Sequence, residues 1–190
     1  MSKDFNLLKR SASIVAPRLL GCELVINNNS DDIRLKIVET EGYDELDEAS
    51  HSFRGKTNRN SVMFDTYGHL YVYFTYGMHY CANITVGEIG QGSAVLIRAV
   101  EPLSGLKYLR SNRAKVSDNN LTNGPAKLCQ ALNINLELNG HDLKKEPLKL
   151  IIKPALNKED IVVARRIGIS REKDKMLRFY IKNNPFISKI

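Results

Sequence analysis

Apolar and polar positions change rhythm several times along this chain, and each change marks an element. Residues 3–20 place Leu7, Leu8, Ile14, Val15, Leu19 and Leu20 among polar neighbours. This predicts a short amphipathic helical segment, bent or divided at Pro17 and stopped near Gly21. Residues 22–26 read as a strand, 27–32 as a polar turn and 33–43 as the returning strand. Strand side chains alternate, so the second strand puts Leu35, Ile37, Glu39, Glu41 and Tyr43 on one face. Two carboxylates after two hydrophobic residues fit a face running out into a cleft, or a solvated strand end. Residues 44–50 are acidic and read as loop or short helix. Residues 61–67 predict a helical turn with Met63 and Phe64 inward.

Residues 70–83 hold four of the eight tyrosines of the chain. The run alternates, is rich in aromatic and β-branched residues, and is interrupted by Gly77, so it predicts two strands joined by a tight hairpin. Tyr76, Met78 and His79 would sit at its tip, where small polar residues are expected. Such a tip is either an ordinary turn on a core strand or a wedge that enters a stack of bases.

Further on, 87–92 reads as a turn and 93–100 as a strand. Arg98 stands in that apolar strand and needs a partner if buried. Ser104 is a candidate cap for a helix reaching about residue 113, whose end is basic through Lys107, Arg110, Arg113 and Lys115. Pro125 suits the first turn of a helix through about residue 132. Lys127 lies near that N-terminus, where amides and a cation could hold a phosphate. Residues 148–152, 161–165 and 177–181 read as short strands.

Composition narrows the class. A chain of 190 residues fits one domain spanning 1–190. No run approaches the roughly 18 apolar residues of a membrane span, and the N-terminus lacks the apolar centre of a secretory signal, so a cytoplasmic protein is expected. Cys22, Cys81 and Cys129 lack zinc-ligand spacing and read as buried thiols. Lysine and arginine number 28 against 21 acidic residues, a net charge of +7 that favours polyanions such as nucleic acid. The polar loop 51–60 carries Arg54, Lys56 and Arg59, which could meet phosphates or simply be solvated.

Several segments together resemble the methylpurine-DNA glycosylase family. They are Val38-Glu39-Thr40-Glu41-Gly42-Tyr43, then Ala49-Ser50-His51 with Arg54-Gly55-Lys56-Thr57 and Arg59-Asn60. Leu70-Tyr71-Val72-Tyr73-Phe74-Thr75-Tyr76-Gly77-Met78 follows, with Asn83, then Leu96-Ile97-Arg98-Ala99-Val100-Glu101-Pro102. Gly124-Pro125-Ala126-Lys127 opens a further block, and Arg166-Ile167-Gly168-Ile169 and Leu177-Arg178-Phe179-Tyr180 complete the set in the family's order. Between Tyr43 and Asp47 the turn is shorter than is common in the family, and His79 stands where an aromatic is common.

The resemblance implies an α+β fold: a single compact domain with a curved, mostly antiparallel sheet, peripheral helices and a protruding DNA-inserting hairpin. It implies an enzyme that flips alkylated or deaminated purines out of double-stranded DNA and hydrolyses the N-glycosidic bond. It implies no metal or organic cofactor, no membrane and a monomer. Glu41 matches the general base that activates water, Arg98 the arginine that holds water and carboxylate, and the backbone carbonyl near Ile167 a third support for that water. Tyr43 and Tyr73 match aromatic walls around the flipped base, His51 a hydrogen-bonding residue at its edge, and Asn83 a wall that excludes a 2-amino group. Tyr76 matches the wedge, flanked by Met78 and His79, and Arg54, Lys56, Arg59 and Lys127 would meet the DNA backbone. Two other readings stay open: a non-catalytic nucleic-acid-binding module of the same fold, and a nucleosidase using Glu39 and Glu41 as a carboxylate pair.

Overall fold

A computed structural model of the chain describes residues 3–27 and 32–188. One antiparallel sheet organises it. The strands are β1 (Glu23–Ile26), β2 (Ile33–Tyr43), β3 (Leu70–Thr75), β4 (His79–Thr85), β5 (Ala94–Pro102), β6 (Leu148–Ile151), β7 (Ile161–Ala164) and β8 (Arg178–Ile181). Along the sheet they run β3-β4-β5-β2-β1-β6, with β8 joined to both β2 and β7. The sheet is curled into a half-barrel, and it carries α1 (Ala12–Arg18), α2 (Ser61–Asp65), α3 (Leu106–Asn112) and α4 (Pro125–Leu132). Among the described residues no helix is long and apolar enough to cross a membrane.

The core forms where alternating apolar residues meet the helices. Leu24, Leu35, Ile37, Leu70, Val72, Ala82, Ile84, Val95 and Ile97 pack with Val15, Ala16, Leu128 and Ala131. Each fully buried large aliphatic side chain contributes about 1.5–3 kcal/mol. The three cysteines are buried and free.

β2 is the central element. Its first residues pair with β1, while Glu39, Thr40 and Glu41 pair with Tyr180, Phe179 and Arg178 of β8. Its other edge runs along β5 with two breaks in register. Ile37 faces Val100 but Glu39 faces Ala99, so Val38 is extra on β2; Thr40 then faces Ile97, so Arg98 is extra on β5. A bulge bends a strand and re-aims side chains. The simple alternation predicted for β2 therefore fails, and every residue from Ile37 to Gly42 is buried.

Gly42 is required here by space. A Cβ would lie 2.9 Å from the Ala12 carbonyl oxygen of α1. Asp44, just past the strand, accepts from the Ala12 and Ser13 amides at 2.7 and 3.3 Å and so caps α1. The exit of β2 and the start of α1 are thus locked together.

Some expectations need correction. The segment 3–20 is a 3₁₀ turn (Lys3–Lys9) followed by α1, with Pro17 inside the helix. Ser104 does not cap α3: its hydroxyl accepts from the Arg34 amide and donates to the Asp32 carbonyl, bracing β2. Gly105, at φ +79°, occupies the capping position instead. Most of the turn expected at 27–32 lies outside the described residues.

Candidate active site

Both carboxylates of β2 point into the protein. Glu39 and Glu41 are each 0% exposed, which rules out the solvated strand end. The bulge at Arg98 aims its guanidinium between them: Nε donates to Glu39 at 3.2 Å, and Nη1 lies 3.2 Å from Glu41 Oε2. Burial alone would lower the arginine's pKa, but the Glu41 and Glu39 charges outweigh it and hold Arg98 cationic.

The two carboxylates differ in what else they hold. Glu39 accepts from Arg178 Nε at 2.6 Å, and from the Ser188 amide and hydroxyl at 2.6 and 2.8 Å. It is saturated by protein donors. Glu41 accepts from the Tyr43 hydroxyl and the Ile167 amide, both at 2.8 Å, besides Arg98. A carboxylate offers about four acceptor positions, so Glu41 keeps room for a water. Burial and the neighbouring Glu41 charge push the Tyr43 phenol far above its usual pKa. Tyr43 thus remains a donor at any working pH.

This end of β2 lies behind a cavity of about 620 Å³ whose lining includes Tyr43, His51, Tyr71, Tyr73, Asn83, Arg98 and Ile167. The volume is in the range of small-molecule sites. His51 packs edge-on against Tyr73 with ring centroids 4.5 Å apart, and its Nδ1 is 3.0 Å from the Tyr71 hydroxyl. Its edge is open to solvent at the lip of the cavity, yet crowding by protein and the nearby Arg59 lower its pKa. Asn83 is buried and donates to the Tyr71 carbonyl at 3.0 Å, which fixes its amide in the wall.

The β3–β4 hairpin borders the same cavity. The Met78 amide bonds the Thr75 carbonyl, and Tyr76 and Gly77 between them have φ of +51° and +67°. Positive φ at both central residues matches a type I′ hairpin turn, which suits glycine but strains a tyrosine. Tyr76 and Met78 are nevertheless 81% and 69% exposed. His79 belongs to β4 as its first residue, not to the turn. The tip, with Tyr76 on the cavity, projects large apolar side chains from a strained turn.

A family model described as methylpurine-DNA glycosylase (MPG) matches residues 6–185. A protein of Carboxydothermus hydrogenoformans named "Putative 3-methyladenine DNA glycosylase" is 52% identical over 181 residues, 95% of each chain. Proteins with the same name from Francisella tularensis and Methanoculleus marisnigri are 46% and 42% identical, covering 96% and 95% of each chain. The chain belongs to the methylpurine-DNA glycosylase family.

The cations expected to meet DNA are placed unevenly around this family member's cavity. Arg54 is exposed and lines it. Lys56 pairs with Asp65. Arg59 lies over the Tyr73 ring at 5.6 Å, beside the aromatic wall. Lys127 donates to Asn123 at 2.8 Å near the start of α4, two residues after Pro125 on the cavity lining. Among the described residues no group of three or more His, Cys, Asp or Glu side chains could hold a metal.

Sequence reasoning gave no site role to several residues that hold the site together, although Arg166, Arg178 and Tyr71 stand in the blocks quoted above. Arg178 and Ser188 bond Glu39, Tyr71 bonds His51 and Asn83, and Arg166, paired with Asp47, lies over Tyr43. A buried arginine leaves a weak signal in sequence when its partner lies far along the chain. At Ile167 the expected group is the backbone carbonyl, as a support for the water; the group that reaches Glu41 is the amide, which donates to the carboxylate.

Proposed function

We propose that this DNA repair glycosylase is monofunctional and purine-specific. It takes a damaged purine nucleotide from duplex DNA into the aromatic cavity and hydrolyses its N-glycosidic bond with Glu41 as general base. The observation that carries this reading is the buried Glu41–Arg98 pair directly behind a cavity walled by Tyr43 and Tyr73.

Tyr76 enters the stack and holds open the space the base leaves. Extrusion costs a few kcal/mol, least for a damaged or mispaired base. Stacking on aromatic side chains returns about 1–3 kcal/mol per base. Damage therefore tips the balance toward the flipped state. His51 and Asn83 offer hydrogen-bonding groups to the base edge. A water on the free acceptor position of Glu41 attacks C1′; the C1′–N9 bond breaks, and the electron pair leaves with the purine. The water's proton passes to Glu41 as positive charge develops on the sugar. An alkylated purine that carries positive charge departs as a neutral base.

Among the described residues no lysine lines the cavity, which supports hydrolysis by water over Schiff-base chemistry. The saturated bonding of Glu39 argues against a nucleosidase using both carboxylates. A pure binding module would gain nothing from a buried ion pair aimed at the cavity. In this reading the whole chain is one glycosylase domain, monomeric and intracellular, and Arg54, Lys56, Arg59 and Lys127 contribute to backbone affinity without sequence preference.

The test is base release from duplexes carrying ethenoadenine, hypoxanthine or 7-methylguanine, with free deoxynucleosides and undamaged duplex as controls. Release is expected from at least one lesion duplex and from neither control. Borohydride treatment with an abasic duplex is expected to trap nothing. A covalent adduct would remove the monofunctional assignment, and equal turnover of free nucleosides would remove the duplex requirement.

A further inference from the structure

We infer that Arg166, clamped by Asp47, is a positioning residue that sets both the aromatic wall and the catalytic carboxylate. This rests on the reading of Glu41 and Tyr43 just given. The Arg166 side chain is 0% exposed and touches no solvent in the cavity. Its guanidinium carbon lies over the Tyr43 ring, 4.6 Å from the centroid. Nη1 donates to the Gly42 carbonyl at 3.0 Å, and Nη2 to Asp47 Oδ1 at 3.0 Å, while Asp47 Oδ2 lies 2.7 Å from Nη1. Asp47 is itself held by the Ala49 amide at 2.9 Å.

These contacts bracket the catalytic residue. Gly42 follows Glu41 in β2 and Tyr43 follows Gly42, so Arg166 fastens the backbone on one side of Glu41 and the ring two residues on. The next residue, Ile167, gives its amide to Glu41 Oε1 at 2.8 Å. The loop 166–167 thus reaches Glu41 by its main chain and Tyr43 by its side chain. Since Tyr43 lines the cavity and Arg166 does not, the guanidinium backs the ring from the protein side and leaves the other side for a base. A planar fork is needed: a lysine can carry the charge but cannot bond Gly42 and Asp47 together while also covering the ring. Displacing a reacting group by about 1 Å can cost on the order of 10²-fold in rate.

The experiment compares Arg166→Lys and the charge-free double variant Arg166→Met/Asp47→Leu with the wild-type chain and Glu41→Gln. The double variant removes both members of the buried pair, so neither charge is left alone. Single-turnover base release and ethenoadenine fluorescence, which reports stacking of the flipped base, are measured on ethenoadenine duplex. Thermal melting of each variant gives the folded fraction, to which the rates are normalised. Both variants are expected to release base about 10²-fold more slowly per folded molecule, with weakened stacking quench. Arg166→Lys is expected to melt near wild type without recovering the rate. Wild-type rate and quench in either folded variant would overturn the inference, because a structural role alone changes only the folded fraction. Glu41→Gln separates the two claims: it is expected to keep the quench and lose release. If it releases base normally, the reading of Glu41 fails whatever Arg166 does.

Discussion

The inner end of β2 and the tip of the β3–β4 hairpin border the same cavity, yet they are built in opposite ways. At the inner end both carboxylates are held by protein donors: Glu41 by Tyr43, Arg98 and Ile167, and Glu39 by Arg98, Arg178 and Ser188. At the tip, Tyr76 and Met78 stand largely in solvent, and Tyr76 takes a left-handed backbone conformation. The first region is already ordered within the protein, as the proposed mechanism's electrostatic stabilisation requires. The second spends stability on a shape with no partner inside the protein. The proposed mechanism assigns chemistry to the first region and recognition to the second, so mutations in the two should fail differently.

The largest break is expected at Arg98. Arg98→Ala leaves Glu39 and Glu41 buried without their shared cation, and breaking such a pair costs about 3–5 kcal/mol. Denaturant unfolding should show that loss, and base release should fall on the order of 10²-fold or more. Retention of both stability and rate would show that the pair is not the organising contact.

Gly42→Ala comes next. Its Cβ would press on the Ala12 carbonyl, so a destabilisation of about 1–3 kcal/mol is expected by thermal unfolding. Activity should fall with it, because Glu41 and Tyr43 flank the displaced residue.

At the tip the signs separate. Tyr76→Gly relieves the strained turn and is expected to raise stability by about 1 kcal/mol. The same change should weaken binding to an ethenoadenine duplex by about 1–3 kcal/mol. Weaker folding together with unchanged binding would mean that the tip is not a wedge.

The smallest effect concerns pH. Burial and Arg59 lower the His51 pKa below its ordinary value near 6.5. The unfolded chain therefore takes up the proton first as pH falls. His51 contributes stability that is fully present above pH 6.5 and diminishes as the solution is acidified through that value. His51→Gln should flatten the change in melting temperature between pH 7.5 and 5.5. An unchanged slope would show that the lip of the cavity does not discriminate against a charged imidazole.

Local pattern made much of the fold legible. The strand at Ile33–Tyr43, the hairpin around Gly77 and the helix opening at Pro125 follow from alternation, turn chemistry and the tolerance of proline in a first turn. What stayed hidden depends on contacts between distant residues. Arg166 meets Asp47 across 119 positions, and Ser188 meets Glu39 across 149. The bulges at Val38 and Arg98 arise from the register of two strands, which neither strand reveals alone. Arg98 could be flagged as an odd cation in an apolar strand, but only the second bulge shows why it reaches two carboxylates. Ser104 had the chemistry of a cap, and tertiary packing used it as a brace for Arg34 instead.

The most direct test of the central claim is Glu41→Gln assayed for binding and base release on the same lesion duplex. Gln keeps the shape of the side chain and removes the charge that would accept the water's proton. The variant should bind the damaged duplex as the wild-type chain does and release base slower by about 10²–10⁴-fold. Release at the wild-type rate would contradict the assignment of Glu41 as the general base.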